Sequence, residues 1–137
     1  MSTILSLINV NANVPIKFGK KIQICYRFTD RKDDEGHVKR FRIFRAYNKS
    51  NKPLSLQFYG IRIHGSNEGF VVNSKTDLKQ YEFLPSGAVT KGYEYADGDI
   101  IAFFNLKKDK NGEYSLPTFD VAFIEPNGKL YTQKIKL

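Results

Sequence analysis

Arginine and lysine alternate with phenylalanine and tyrosine through VKRFRIFRAYN, residues 38–48. A guanidinium group can grip a phosphate or sulfate with two parallel hydrogen bonds, and an adjacent ring can stack on a base or a sugar. This combination points to recognition of an anion rather than to bond making. The candidate contact residues are Arg27, Lys39, Arg40, Arg42, Arg45, Tyr47, Tyr59 and Arg62. The competing reading is ordinary sheet chemistry, with arginines wetting one face and aromatics filling the core from the other. Charge distribution favours a partner. Residues 1–68 hold 13 Lys and Arg against 5 Asp and Glu, whereas residues 69–137 hold nine of each, and all six arginines lie in the first half. Such asymmetry suits a polyanion: nucleic acid, an acidic or sulfated glycan, or anionic lipid head groups.

Catalytic chemistry finds less support. Cys25 is the single cysteine and shares its strand parity with Lys21 and Arg27, cations that lower a thiol pKa. The two histidines, His37 and His64, are both remote from it in sequence, so a Cys/His or Ser/His/Asp site would need the fold to assemble it. Asp33, Asp34 and Glu35 lack the alternating spacing and distant glutamate of a calcium loop. Asp97 and Asp99 lack further oxygen ligands at useful spacing and read as a turn. No CxxC pair or Cys/His cluster exists to hold zinc, and no glycine-rich cofactor loop stands out. The expectation is a binding domain without enzymatic activity, cofactor or metal. A structural or assembly subunit, or a lectin-like or toxin-like binder of carbohydrate or membrane, is the alternative.

With 137 residues, 41% hydrophobic and 14% aromatic, the chain reads as one folded domain over residues 1–137. Its opening MSTILSLINVNANVP has a short apolar run and no leading positive charge, unlike a secretory signal. No stretch approaches the roughly 20 apolar residues of a spanning helix. The expected location is cytoplasmic, or outside the cell after release without a classical signal peptide. Asn48-Lys49-Ser50 matches a glycosylation acceptor, which has little meaning in that setting.

The elements that must position these side chains are strands. Lys21–Phe28 alternates cleanly, with Ile22, Ile24, Tyr26 and Phe28 on one face. Thr29–His37 reads as a charged loop. Residues 38–48 and 54–63 read as the two arms of a hairpin around KSNKP. In the first arm Lys39, Phe41 and Ile43 oppose Arg40 and Arg42, with a phase change near Phe44. In the second, apolar parity moves from Leu54, Leu56 and Phe58 to Ile61 and Ile63, which places a β-bulge or a close backbone approach at Gly60. Residues 4–10, 69–73, 81–84, 91–95 and 118–124 read as further strands, as does 130–137. The apolar run 100–106 reads as a strand buried on both sides. Asn111-Gly112 and Asn127-Gly128 mark hairpin turns, and SKTDLKQ is the single helical turn expected. Short strands at this spacing predict an antiparallel two-sheet β-sandwich of about nine strands, immunoglobulin-like or jelly-roll in style; an OB-like barrel is the alternative.

Overall fold

A computed structural model describes residues 5–9, 16–17, 21–73 and 80–137, the first two segments as backbone alone. The expected loop before Lys21 falls largely outside these residues, as does the expected helical turn at 74–79. The strands are β1 (Leu5–Asn9), β2 (Ile16–Lys17), β3 (Ile22–Lys32), β4 (Val38–Asn48), β5 (Leu54–Ile63), β6 (Phe70–Asn73), β7 (Glu82–Leu84), β8 (Tyr93–Ala96), β9 (Thr118–Ile124) and β10 (Leu130–Lys136), with one helix, α1 (Asp97–Phe103). They form two sheets. The larger runs β1-β6-β5-β9-β10-β2 with β7 attached to β5, and the smaller runs β3-β4-β8. Every pairing is antiparallel except the short one between β10 and β2. The architecture is the expected sandwich; the sheets do not close into a barrel.

Aromatic rings weld the layers together. Phe58 of the large sheet stacks on Tyr93 of the small one with centroids 4.6 Å apart, and meets Phe123 at 5.2 Å. The chain of contacts continues from Phe58 to Tyr95, Phe44 and Tyr26. Offset and edge-on ring pairs of this kind add about 0.5–1.5 kcal/mol each beyond the area they bury. Ile22, Ile24, Leu56, Ile61, Val121 and Phe119 complete the same core. The alternation expected for β3 buries Ile22 and Ile24 and half-buries Tyr26, while Phe28 at its far end is exposed.

Several expectations are corrected. β4 and β5 do not form a hairpin: β4 pairs with β3 and β8, and β5 pairs with β6, β7 and β9. The KSNKP link carries the chain between layers, where Asn48, fully buried, ties it down by donating to the carbonyls of Lys52 and Leu84. The charged segment after Phe28 is not a loop until Asp33. β3 runs on to Lys32, in eleven unbroken pairs with β4, which also excludes a phase change near Phe44. The turn is Asp33–His37, whose Asp33 carboxylate accepts the amides of Glu35 and His37. The same geometry recurs at Asp109–Glu113, with Asp109 accepting the amides of Asn111 and Glu113. That Asn111-Gly112 turn closes on an isolated bridge between Lys108 and Tyr114, not on two long strands. The Asn127-Gly128 turn does join two strands, β9 and β10, through bonds between Glu125 and Lys129 and between Gly128 and Glu125. Finally, 100–106 is mostly helix. Asp97 and Asp99 occupy the first turn, where carboxylates suit the positive end of the backbone dipoles. Ile100 and Phe104, four residues apart, both face the core, with Phe104 edge-on to Phe119 at 5.1 Å.

Candidate anion-binding face

The residues of β4 divide by parity. Arg40, Arg42, Phe44, Ala46 and Asn48 point toward the other sheet, while Lys39, Phe41, Ile43, Arg45 and Tyr47 point outward. The arginines expected on the wet face are thus on the core side, and the aromatic-bearing parity faces solvent. At the core side Arg42 is 8% exposed. It donates from Nε and Nη2 to both oxygens of Asp97 (2.6 and 2.7 Å) and from Nη1 to the Tyr26 hydroxyl (2.6 Å). Asp97, then Tyr26, hold the Arg42 proton more tightly than usual against the opposing effect of burial. A bidentate pair at the sandwich rim neutralises this charge and pins α1 to β4. Arg40, one parity step further out, pairs with Asp30 at 2.8 Å and lies over the Phe28 ring at 4.1 Å.

Arg62 and Tyr59 are likewise withdrawn. Arg62, 8% exposed, lies opposite Asp120 on the neighbouring strand, bonds it at 3.2 Å and covers the Phe70 ring at 4.4 Å. Asp120 also binds His64 Nδ1 at 2.7 Å. This Arg62–Asp120–His64 clasp joins β5 to β9. One partial signal of it is visible along β9, where Phe119, Val121 and Phe123 share one parity and leave Asp120 on the opposite face. Tyr59 is 8% exposed because it is the extra residue of the bulge between Phe58 and Gly60 and packs on Phe70. Of the expected contact residues, Arg40, Arg42 and Arg62 are thus paired with carboxylates, Arg40 at the exposed rim and the other two buried, and Tyr59 is buried against Phe70.

What remains forms a single patch on the outward face of the small sheet. Arg27 sits opposite Ile43, Cys25 opposite Arg45, Gln23 opposite Tyr47 and Arg31 opposite Lys39. Side chains directly across antiparallel strands stand about 5 Å apart at Cβ and diagonal ones about 7–8 Å, so Arg27 and Arg45 flank Ile43. Ile43 itself is 2% exposed. Cys25, Tyr26, Arg27, Ile43 and Arg45 line a shallow depression of about 60 Å³. Gly92 lies close against two of these side chains, since a Cβ there would stand 2.7 Å from Ile43 Cγ2 and 2.9 Å from Arg45 Nη2. Among the described residues, the ion pairs of the arginines are Arg31–Glu94, Arg40–Asp30, Arg42–Asp97 and Arg62–Asp120, which leaves Arg27 and Arg45 without a carboxylate. Lys39 is exposed at the outer end of the same face, beside Arg31, which lies over the Phe41 ring at 4.7 Å. Tyr47 is 36% exposed at the opposite end. Cys25 is exposed between the arginines, in contact with no histidine.

No group of three or more His, Cys, Asp or Glu side chains among the described residues is placed to hold a metal ion, and no described helix is long and apolar enough to cross a membrane. The fold is that of a two-sheet β-sandwich with a short three-stranded layer and an outward basic patch. No protein-family model, curated protein or solved structure matches this chain.

Proposed function

We propose that this protein is a non-catalytic binding domain that engages an anionic ligand through the outward face of β3 and β4. The contact residues are Arg27, Lys39 and Arg45, with Tyr47 as a ring at the margin. The observation that supports this reading is the contrast between cations on the two faces of one strand pair. Arg40 and Arg42 carry carboxylate partners, whereas among the described residues Arg27 and Arg45 project beside a shallow depression without an ion pair, and Glu94, which lies across from Ile43 on the same face, is held by Arg31. Two guanidinium groups at diagonal spacing suit successive phosphates or sulfates of a polymer better than one isolated anion. The shallowness of the depression argues for contact along a chain and against enclosure of a small metabolite, which requires a pocket of roughly 300–1,000 Å³.

The test is affinity for a fluorescent oligothymidylate as salt is raised. Single-stranded DNA gives a slope of log K against log salt of about −0.7 per neutralised phosphate, so three cations predict about −2. Replacement of Arg27, Lys39 and Arg45 by glutamate should abolish binding while the chain stays folded and its melting temperature falls by no more than several degrees, since surface substitutions usually shift stability by under about 0.5 kcal/mol each. Retention of the native chain on heparin but not on DNA would assign the face to sulfated glycan. Binding that persists in the triple variant, or its absence in the native chain at low salt, refutes the proposal.

A further inference from the structure

Among the described residues the small sheet has an open edge. Ile24 turns its amide away from β4 and donates to Oε1 of Gln133 at 3.3 Å, while Asp33, nine residues on, donates to the His37 carbonyl across the turn. Both backbone groups of a strand residue point to the same side, and sides alternate along the strand. The residues in step with Ile24, which are Tyr26, Phe28, Asp30 and Lys32, therefore aim N–H and C=O away from β4. Among the described residues β4 is the one strand paired with β3. Beyond Ala96 the β3–β4 ribbon also outruns β8; Val38 in that overhang is 61% exposed, and Phe28, level with Tyr95, is 49% exposed. A long unpaired edge is a template for another strand, and neither proline nor a bulge interrupts this one.

We propose that the strand completing this edge is β3 of a second copy, antiparallel, with Phe28 of both copies on the two-fold axis. Charge selects this register. An axis on Arg27 sets that arginine against itself, one on Thr29 sets Arg27 against Arg31, and one on Asp30 sets two carboxylates together. An axis on Tyr26 needs the Ile24 amide, which Gln133 already holds. With Phe28 on the axis, Tyr26 lies opposite Asp30 of the second copy, Arg27 opposite Thr29 and Cys25 opposite Arg31, so no like charges face one another. The pairs Phe28–Phe28, Tyr26–Asp30 and Asp30–Tyr26 supply roughly six backbone hydrogen bonds. The two half-exposed Phe28 rings meet at the centre. The result is a continuous six-stranded sheet that places the Arg27–Arg45 faces of both copies on one side.

This pairing stands independently of the anion-binding proposal, because it rests on backbone direction and on the charges along β3, not on a bound ligand. Sedimentation velocity of the native chain at about 100 μM should give twice the 15.8 kDa chain mass, and amide exchange should show Tyr26, Phe28 and Asp30 protected. Phe28→Pro removes the central donor at an outward-facing edge position, which strands tolerate, and should return the mass to 15.8 kDa with circular dichroism unchanged. If that variant does not fold, Phe28→Cys in a Cys25→Ser background should oxidise to a covalent dimer, since directly paired residues stand about 5.5 Å apart at Cα, within disulfide reach. Lys32→Cys in the same background should stay uncrosslinked. A single-chain mass with fast exchange at those three amides overturns the proposal, as does a dimer that survives in folded Phe28→Pro or crosslinks through Lys32→Cys and not Phe28→Cys.

Discussion

Arg42 and Arg45 stand three residues apart on one strand and meet opposite environments. Arg42 is closed in by Asp97 and Tyr26, so Arg42→Ala should strand a half-buried carboxylate and destabilise the fold by about 3 kcal/mol, read from the urea midpoint. Arg45→Ala should leave that midpoint unmoved and weaken polyanion binding. Gly92→Ala should also weaken binding by displacing the Arg45 guanidinium, and should lower the midpoint as well, because its Cβ would crowd the buried Ile43 side chain. The carboxylates that organise the ribbon respond to acid. Asp30 is held below its usual pKa by Arg40, and Asp33 by the backbone amides of its turn, first that of His37. A depressed folded-state pKa gives stability that is present above the ordinary carboxylate range and lost as pH falls through the folded value. The turn amides of Glu35 and His37 should therefore lose their exchange protection as pH drops below about 4, while the sandwich core keeps its own. At this scale the sequence was half legible. The alternation of Lys39, Phe41 and Ile43 against Arg40 and Arg42 was visible, and the shared parity is observed. Which parity meets the core was not visible, because both carry an aromatic and a cation, and only Asp97, 55 residues away, decides it.

Elements were read well where a local rule governs and poorly where distant packing does. Gly60 is the clear success. The parity change beside it is a register shift between Phe58 and Gly60, and the glycine also has φ +122° with the Val71 carbonyl 2.5 Å from where a Cβ would stand. Both expectations for that position hold together. Gly60→Ala should cost roughly 2–4 kcal/mol, measured by thermal melt, because neither backbone can yield without breaking the β5–β6 contact. Residues 100–106 are the failure. A short apolar run has no period that separates a buried strand from a helix. The acids before it were the informative signal: Asp97 and Asp99 suit a helical first turn, and their reading as a plain turn missed this. The β4–β5 hairpin failed for another reason. Two strands joined by a five-residue link usually pair, but here buried Asn48 anchors the link and the strands part into different layers.

The whole molecule carries a net charge of +8, yet four of its six arginines are spent on acids, three of them from the C-terminal half. The asymmetry along the chain is thus partly cancelled in space, which composition could not disclose. The two arginines left without a carboxylate among the described residues, Arg27 and Arg45, lie on one face of the smaller sheet, whereas exposed lysines such as Lys52, Lys107, Lys110 and Lys134 are spread over other parts of the molecule. The layered core sets a second pH limit. Burial pushes the Tyr131 hydroxyl up to about 12, helped by the neighbouring Glu125 carboxylate, and complete burial drives Tyr95 well above its ordinary value. The unfolded chain releases these protons near pH 10. Stability is therefore full below that pH and falls as pH rises toward the folded values. The melting temperature should decline between pH 9 and about 11.5 in step with tyrosinate absorbance, and Tyr131→Phe should shift the decline upward. The account as a whole stands or falls with the location of bound anion. The direct measurement is an amide chemical-shift titration of the native protein with a short oligothymidylate or heparin fragment. The account predicts that the largest shifts fall on Cys25, Arg27, Ile43, Arg45 and Lys39, on one face of the small sheet. Shifts centred on the Arg62–Asp120–His64 clasp or on the large sheet, or none at low salt, would contradict it.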